Sequence, residues 1–425
     1  MRFVLEISLC LALVYVWQQR KKQIQWLKIK AKERWKAHRQ KRHLHPKTPD
    51  ECPLCCGTEA PRPRTPDSAI AYPEHKSKRG RKKALNSEGF ACLNPDCVYY
   101  GVTDAGRHAL VGDGRRGKAG DIQRWRCQGC QHPVSARSNI PLFRLKRPAW
   151  SVEIALYLLC IGVSRAQIAR LLGVDERTVA LWLERAGKHG ERLHQHSCQN
   201  QEPAVVQMDE LMARVRSTVK RWWVWFAIDP KTKVLLSLHL GSRKTDSAMG
   251  FVHALVATFT PGYCPLFLSD GLPAYFYALT AHCGQWVGGK WQVAPQLAYA
   301  QMIKILRWRH LIACFPRVLC GSLPSIRGHL RDAGFSGQIQ TAYIERVNLT
   351  ARQHIAALLR RSWSTYRQPA RLQAHLELFR GFYHFVRPHQ SLAQQRLERT
   401  PAMAAGWTDH LWSMSEWITH PVFGS

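Results

Sequence analysis

The stretch "EPAVVQMDELMARVR", Glu202 to Arg216, decides the fold that the sequence predicts. Short β-rich runs separated by turn signals begin here, after a long helical pattern. We interpret the stretch as a β-strand that ends near Asp209. Glu210 should point to the opposite face of this strand, because successive side chains of a strand alternate. The strand therefore carries the Asp209 carboxylate on one face and the Glu210 carboxylate on the other. The predicted fold depends on which strands and helices pack against this strand.

Two further segments continue the pattern. "RWWVWFAIDPKTKVLLSLHLG" predicts a β-hairpin with Asp229 and Pro230 in its turn. "TDSAMGFVHALVATF" predicts a helix for which Asp246 is placed as the N-cap. Both aspartates thus have ordinary structural roles, and neither needs a catalytic one.

The segment "CPLFLSDGLPAYFYAL" predicts a buried strand, Leu266 to Ser269, that ends on Asp270 before a helix. After a variable region, the pattern is helical from Thr341 almost to Arg387. The predicted order of elements is that of an α/β RNase H-like domain with a mixed sheet: three antiparallel strands, a helix, a further strand and then helices. The whole chain is predicted to be a multidomain α+β protein.

Such a sheet would bring Asp209 beside Asp270, and a later helix can contribute Glu345 from "TAYIERVNLTARQ". Like charges raise one another's pKa, so three clustered carboxylates need cations. Hard oxygen ligands suit Mg²⁺ or Mn²⁺. Two such ions about 3.5–4 Å apart can activate a nucleophile and stabilise a leaving oxygen in phosphoryl transfer. The three acids are therefore the candidate catalytic residues and metal ligands.

Asn348 and Arg352 follow Glu345 by three and seven residues, so they share its helical face. They could contact the scissile phosphodiester of a DNA substrate. The alternative is that this face of the helix is an ordinary solvent-exposed surface without a role in DNA contact.

Close pairs of cysteines predict a zinc module. Two pairs separated by a short hairpin-like segment can form a closed tetrahedral site: Cys92 with Cys97 in "ACLNPDC", and Cys127 with Cys130 in "RWRCQGC". An upstream pair in "CPLCCG", Cys52 and Cys55, either joins a second site or replaces one of these pairs. The zinc would be structural. Single cysteines are expected to be small buried hydrophobes: Cys264, Cys314 and Cys320.

A helix-turn-helix is predicted within "SVEIALYLLCIGVSRAQIARLLGVDERTVALWLERAGKHG". Ser164 can cap the second helix, Gly173 ends it and Asp175 can cap the third. The residues expected to be buried along the three helices are Val152, Ile154, Ala155, Leu158, Leu159, Ile168, Leu171, Leu172, Val179, Trp182 and Leu183. Arg177 and Thr178, near the start of the third helix, are the candidate contacts in the DNA major groove. The alternative is an ordinary helical hairpin.

Composition points to a polyanionic partner. The 425 residues carry 62 Lys+Arg against 29 Asp+Glu, a formal charge of +33. Nucleic acid is the first expectation and an anionic membrane surface the second. The apolar run "FVLEISLCLALVYVW" near the N-terminus is shorter than the roughly 18 residues of a spanning helix. It predicts either a membrane anchor or the start of a long basic amphipathic helix.

These motifs resemble those of insertion-sequence transposases, closest to the IS1-like group of DDE transposases. The resemblance covers most of residues 50–410 and includes "QMDEL", "LFLSDGLPAYFYALTAHCGQW", "IERVNLTARQ" and "RPHQSL". It implies catalytic acids at Asp209, Asp270 and Glu345. It also implies double-stranded DNA partners, namely terminal inverted repeats and target DNA, and at least a dimer on DNA. Such enzymes cut at the element ends and join the freed 3′-hydroxyl to the target.

The predicted division is an N-terminal helix (1–45), a zinc module (46–145), a helix-turn-helix (146–200), a catalytic domain (201–400) and a tail (401–425). Three other functions stay open: a zinc and helix-turn-helix regulator with an inactive catalytic domain, an RNase H-type nuclease, and a membrane-tethered basic protein. The expected location is the cytoplasm, on the bacterial nucleoid. The N-terminal segment is absent from the pattern of smaller family members, which puts this location in question.

Overall fold

A computed structural model describes residue 85 and residues 87–117, 122–216, 221–287, 290–308, 310–359, 364–394 and 397–422. The predictions for residues 1–45 and for Cys52 and Cys55 lie outside the described residues. Within the part of the chain that is described, every helix is too short or too polar to cross a bilayer.

The cysteine-rich segment folds around a small antiparallel sheet. Its strands pair in the order β1-β2-β3: β1 is Leu110–Arg116, β2 is Ile122–Cys127 and β3 is Pro133–Ser135. Trp125 is 3% exposed and stacks on Phe90, with ring centroids 4.3 Å apart. A module this small has little apolar surface to bury, so its cysteines supply much of the core.

Three helices follow, as predicted: α1 is Ala149–Cys160, α2 is Arg165–Leu172 and α3 is Glu176–Ser197. Ser164 caps α2 in a reciprocal capping box with Gln167. Gly173 ends α2 with φ 61°, a left-handed conformation that glycine adopts without strain. Asp175 caps α3 by accepting a 2.6 Å hydrogen bond from the Arg177 amide. All three predicted caps are confirmed.

The predicted buried faces of α1 and α2 are partly wrong. Ile154 is 41% exposed and Leu171 is 47% exposed. The inward face of α1 is instead centred on Leu156, which is fully buried. Residues 152, 155, 156 and 159 form the buried stripe of an amphipathic helix, and residue 154 lies off this stripe. Leu158 and Leu172 are half-buried.

A six-stranded mixed sheet has the order β11-β10-β7-β4-β5-β6. Its strands are β4 Val205–Ala213, β5 Trp222–Ile228, β6 Leu235–Gly241, β7 Leu266–Asp270, β10 Ala298–Arg307 and β11 His310–Cys320. β7 lies parallel to both β4 and β10, and the other neighbours are antiparallel. A separate hairpin pairs β8, Gly284–Val287, with β9, Lys290–Val293. The predicted α+β class is confirmed.

The strand predictions hold with two corrections. β4 does not end near Asp209 but continues to Ala213, because it keeps pairing with β5 up to the Ala213–Trp222 register. The variable region after Asp270 contains β8 to β11, which the sequence pattern did not indicate. The hairpin turn is confirmed: the Asp229 carboxylate accepts a 2.8 Å hydrogen bond from the Lys231 amide.

Helices cover the sheet and close the chain: α4 is Thr245–Val256, α5 Pro273–His282, α6 Leu323–Asp332, α7 Ala342–His354, α8 Pro369–Gly381, α9 Pro401–Ala404 and α10 Met414–Thr419. Asp246 is not the cap of α4; Lys244 holds that position, and Asp246 lies in the first turn. There its carboxylate favours the helix through the dipole. The helical pattern predicted after Thr341 is interrupted between α7 and α8.

The two faces of the sheet bury different clusters. On one face, Leu211 and Phe226 share a cluster with residues of α1, α3, α7 and α8. On the other face, Met208 and Trp225 pack with α4 and α5. Helices α3 and α8 approach closely at Gly187, where a Cβ atom would lie 2.5 Å from the carbonyl oxygen of Ala374. The helix-turn-helix thus shares a core with the sheet.

Exposure of the single cysteines differs from the prediction. Cys314 lies on β11 and is exposed, while Cys264 and Cys320 are half-buried. β11 is an edge strand that extends away from the core, so its position there leaves Cys314 in solvent.

Candidate functional site

Gln207 connects the central strand to the helix that carries Glu345. Its side-chain oxygen accepts hydrogen bonds from the Tyr343 and Ile344 amides at 3.1 and 3.2 Å. Its side-chain nitrogen donates to the Gln340 carbonyl at 2.8 Å. Free amides at the start of a helix need acceptors. Gln207 therefore fixes the first turn of α7 against β4, two residues before Asp209 on the same face.

Three carboxylates meet at the edge of the sheet where β7 ends. Asp209, Glu210 and Asp270 each offer an oxygen, and these oxygens lie within 4.8 Å of one another. The register explains the first contact: Met208 pairs with Ser269 in parallel strands, so Asp209 and Asp270 follow side by side. The structure therefore brings together two of the three predicted acids.

Glu210 is the acid that sequence reasoning set aside. It does lie on the opposite face of β4, where its carboxylate accepts hydrogen bonds from Tyr275 Oη at 3.0 Å and Arg243 Nε at 2.8 Å. Its side chain is long enough to reach Asp270 around the end of β7. The Arg243 guanidinium also stacks over the Trp223 ring, 4.7 Å from its centroid. The adjacent "DE" pair was the available signal, but strand alternation argued against it.

Glu345 lies beside this cluster but is not a member of the group within 4.8 Å. It forms an ion pair with Lys304 of β10. It also accepts a 2.9 Å hydrogen bond from Thr341 Oγ1. Its charge nevertheless reaches the cluster, because it contributes to raising the pKa of both Asp209 and Asp270.

Asn348 also belongs to the cluster. Its Nδ2 donates a 2.8 Å hydrogen bond to Asp209 Oδ2, whereas sequence reasoning assigned it to a phosphodiester. Its Oδ1 is buried and has no hydrogen-bond partner within the described part of the chain. Arg352 is half-buried on the same helix. The amide of Asn348 thus reaches the carboxylates of the sheet.

The acid cluster holds its protons unusually tightly. Burial and the neighbouring Asp270 carboxylate raise the pKa of Asp209 to about 6. Burial, Asp270 and Asp209 raise the pKa of Glu210 to about 7, against the lowering effect of Arg243. Burial also raises the pKa of Asp270. Burial alone would lower the pKa of Lys304, but Glu345 and Asp209 raise it. The cluster lacks enough positive charge to ionise fully at neutral pH.

These residues fit a site for divalent cations. Carboxylate oxygens are the ligands that Mg²⁺ and Mn²⁺ prefer, and three of them converge here. The orphaned Asn348 Oδ1 is a further oxygen of the same chemical kind. Asp209, Glu210 and Asp270 could hold such an ion, with Glu345 available if it leaves Lys304.

The four predicted cysteines of the zinc module come together. Cys92 Sγ lies 3.4 Å from Cys130 Sγ, and Cys97 Sγ lies 3.8 Å from Cys127 Sγ. Zinc bound to four thiolates at about 2.3 Å requires sulfur atoms roughly 3.8 Å apart. Burial raises the pKa of Cys92 and of Cys97. Burial would also raise the pKa of Cys130, but hydrogen bonds from the His132 backbone and nearby side chains lower it to about 7. The cluster is compatible with a structural zinc ion.

A cationic cleft lies between the zinc module and α3. Its volume is about 790 Å³, and no acidic side chain is found among the described residues that line it. Its basic lining residues are Arg116, Arg124, His132, Arg137, Arg144, Arg185, Lys188 and Arg192. Arg185, Lys188 and Arg192 repeat at helical spacing along α3, so they share a face. Burial lowers the pKa of Arg192. Such a cleft suits the phosphate backbone of nucleic acid.

The predicted groove contacts lie at the opposite end of α3. Arg177 and Thr178 are the second and third residues of the helix. Arg177 is exposed and Thr178 is half-buried. With about 1.5 Å of rise per residue, Arg177 and Arg192 are roughly 22 Å apart. One long helix therefore presents a candidate base-reading end and one wall of the cationic cleft.

Residues 153–192 match a family model described as a homeodomain-like domain. The match spans most of α1, all of α2 and most of α3. A search of curated proteins finds no match to the chain. A homeodomain-like helix-turn-helix indicates DNA binding.

Proposed function

We propose that this chain is a DDE-type transposase that cuts DNA strands at insertion-sequence ends and joins them to target DNA. The observation that carries the proposal is the carboxylate cluster Asp209–Glu210–Asp270 at the edge of the mixed sheet, in a chain that also holds a homeodomain-like domain. Domains of this kind are found in transposases. The charge of +33 suits a partner that is itself a polyanion.

The strand order supports an RNase H-like assignment. Read from its β6 edge, the sheet runs β6-β5-β4-β7-β10, with the first three strands antiparallel and the next two parallel to β4. The β6-β5-β4-β7 part is the arrangement expected from the order of segments along the chain. Asp209 of β4 and Asp270 of β7, the first and fourth strands of this sheet along the chain, lie side by side, as the proposed chemistry requires.

Phosphoryl transfer needs positioning and charge stabilisation more than covalent help from the protein. Bound divalent cations would polarise the scissile phosphodiester and stabilise negative charge on the attacking and leaving oxygens. In each step, a water or a 3′-hydroxyl oxygen bonds to phosphorus as the bond to the leaving oxygen breaks. Asp209, held by Asn348, would keep its carboxylate in place throughout. Lys304 could neutralise Glu345 until DNA and cations arrive.

A second candidate function is a DNA-binding regulator with an inactive catalytic domain. The observation in its favour is the Lys304–Glu345 ion pair, which holds the third predicted acid away from the other carboxylates. If that pair persists when DNA is bound, the site would lack one of its three predicted ligands.

Incubation of the chain with end-labelled duplexes made from the DNA that flanks its own gene would test the proposal. We expect nicking and joining with Mg²⁺ or Mn²⁺, neither without added divalent cations, and loss of both in Asp209→Asn. Asp246→Asn is the matched control, because Asp246 lies in the first turn of α4. Cleavage without joining would support a nuclease. DNA binding without cleavage under every metal condition would support the regulator.

A further inference from the structure

Strands β10 and β11 continue beyond the sheet as a two-stranded ribbon. Met302, opposite Asp270, is the last residue of β10 that pairs with β7. The strand runs on to Arg307 and pairs there only with β11, with Arg307 opposite His310. Because β7 and β10 are parallel, this ribbon leaves the sheet at the same edge where the carboxylates gather.

The tip of the ribbon carries the most exposed large apolar side chain of the described residues. Trp308 is 86% exposed and sits in the turn with φ 52°. Arg307 and His310 beside it are exposed. Arg309 completes the sequence "RWRH". Among the described residues, no acidic side chain forms an ion pair with Arg307 or His310. An aromatic ring beside the exposed Arg307 guanidinium is thus held out in solvent.

The ribbon sets the distance between this tip and the acid cluster. Trp308 lies six positions beyond Met302, about 20 Å along the ribbon at roughly 3.3 Å per residue. Lys304, part of the way along, forms the ion pair with Glu345. A DNA strand rises about 3.4 Å per nucleotide. The tip is therefore within about six nucleotides of a phosphate held at the cluster.

The chemistry of the tip selects the partner. Every base has a π-face on which an indole can stack, and the neighbouring Arg307 guanidinium matches an adjacent phosphate. A second copy of this chain fits less well, because two identical cationic tips would repel each other. In an intact duplex the base faces are covered by their neighbours, whereas a frayed or displaced strand exposes them.

We propose that Trp308 stacks on an unpaired base of the DNA strand that lies at the carboxylate cluster, while Arg307 and His310 contact the adjacent phosphates. The inference rests on the proposed function for the identity of that strand. It adds a contact that recognises distorted or single-stranded DNA near the cleavage site.

The test uses the full chain in buffer without added Mg²⁺ or Mn²⁺, so that binding is measured without cleavage while zinc stays bound. One probe is an intact duplex. The other is the same duplex with three nucleotides missing from one strand and 2-aminopurine among the unpaired bases of the opposite strand. We expect tighter binding to the gapped duplex and quenching of 2-aminopurine fluorescence. Trp308→Ala should lower gapped-duplex affinity at least about fivefold and remove the quenching. Trp308→Phe should retain most of both.

Leu311→Ala is the matched control, since Leu311 is a 58% exposed apolar residue on the same ribbon. It should leave affinity and quenching unchanged. Equal gapped-duplex binding and quenching by Trp308→Ala and the unaltered chain would overturn the inference, while intact cleavage would leave the proposed function standing. Sedimentation without DNA tests the alternative. If the unaltered chain is a dimer and both Trp308→Ala and Leu311→Ala are monomers, the ribbon would instead be a contact between two copies of the chain. Absence of binding to either duplex by the unaltered chain would contradict both proposals.

Discussion

Asn348 donates a 2.8 Å hydrogen bond to Asp209, from helix α7 to the central strand β4. The other oxygen of Asp209 accepts a 2.8 Å hydrogen bond from the Glu210 amide. Both oxygens of this carboxylate therefore have fixed donors. A half-buried carboxylate held in this way keeps its orientation whether or not a cation is bound.

Asn348→Ala should remove this orientation. We expect strand cleavage to fall about 10–100-fold, as for other groups that orient a ligand. Stability should drop by about 1 kcal/mol, since one partner of a partly buried hydrogen bond is lost. Cleavage rates and thermal unfolding measure the two effects. Leu349→Ala is the control on the same helix, because Leu349 is 46% exposed. Equal cleavage by Asn348→Ala and the control would show that the bond has no functional role.

Glu210→Gln and Glu345→Gln separate the two candidates for the third carboxylate. If Glu345 leaves Lys304 to bind the cation, Glu345→Gln should reduce Mn²⁺ affinity and cleavage by more than about a hundredfold. Glu210→Gln should then have a smaller effect, through the loss of its contact with Arg243. Isothermal titration with Mn²⁺ and cleavage assays measure both. Full activity of Glu345→Gln would remove it from the site and leave Glu210 as the ligand.

The acid cluster predicts an unusual dependence of stability on pH. In the folded chain the pKa values of Asp209 and Glu210 rise from 3.8 and 4.5 to about 6 and about 7. The folded state therefore keeps protons that the unfolded state has released. Without divalent cations, the free energy of unfolding should decrease by a few kcal/mol as pH rises from about 4 to about 7.

Divalent cations should reverse this loss, because they bind the ionised carboxylates. Mn²⁺ is expected to raise Tm more at about pH 7.5 than at about pH 5.5. Thermal unfolding across pH, with and without Mn²⁺, measures the effect. Asp209→Asn combined with Glu210→Gln should flatten the pH dependence. An Mn²⁺ shift that is the same at both pH values would contradict the assignment.

Zinc removal should unfold the cysteine module. We expect one zinc ion at Cys92, Cys97, Cys127 and Cys130, and Cys127→Ser should lose it, as measured by elemental analysis. The sheet and helices should stay folded, because their core is made of other residues. Cys314→Ser is the control, since Cys314 is exposed. Loss of this zinc in the double variant Cys52→Ser and Cys55→Ser would instead favour the upstream pair as ligands.

Arg177→Ala should weaken binding to the specific DNA site about tenfold or more, with little change on random DNA, if Arg177 reads a base. Lys188→Ala should weaken both and lower the salt dependence by about one unit, because it removes a phosphate contact. Fluorescence anisotropy over a range of salt concentrations measures each. Arg331→Ala, an exposed site on α6, serves as the control. Identical profiles for Arg177→Ala and Lys188→Ala would remove the distinction between base and phosphate contacts.

Local patterns predicted local structure well in this chain. Ser164, Gly173 and Asp175 mark the limits of α2 and the start of α3, because caps depend on nearby backbone groups. The cysteine spacing predicted the four-sulfur cluster for a similar reason. The β10–β11 ribbon had no such signal. Its strands gain their pairing from each other and from β7, and the exposed face lacks the alternation that marks a half-buried strand.

By itself, the sequence determined which residues can form helices, strands, caps and thiol pairs, since these follow from side-chain periodicity and short-range hydrogen bonding. It also determined that Asp209 and Asp270 end up side by side, through the order of the strands. Only the tertiary structure decided that Glu210 reaches the cluster and that Glu345 pairs with Lys304. Those choices depend on side-chain length and on neighbours distant in sequence, and no local pattern records them.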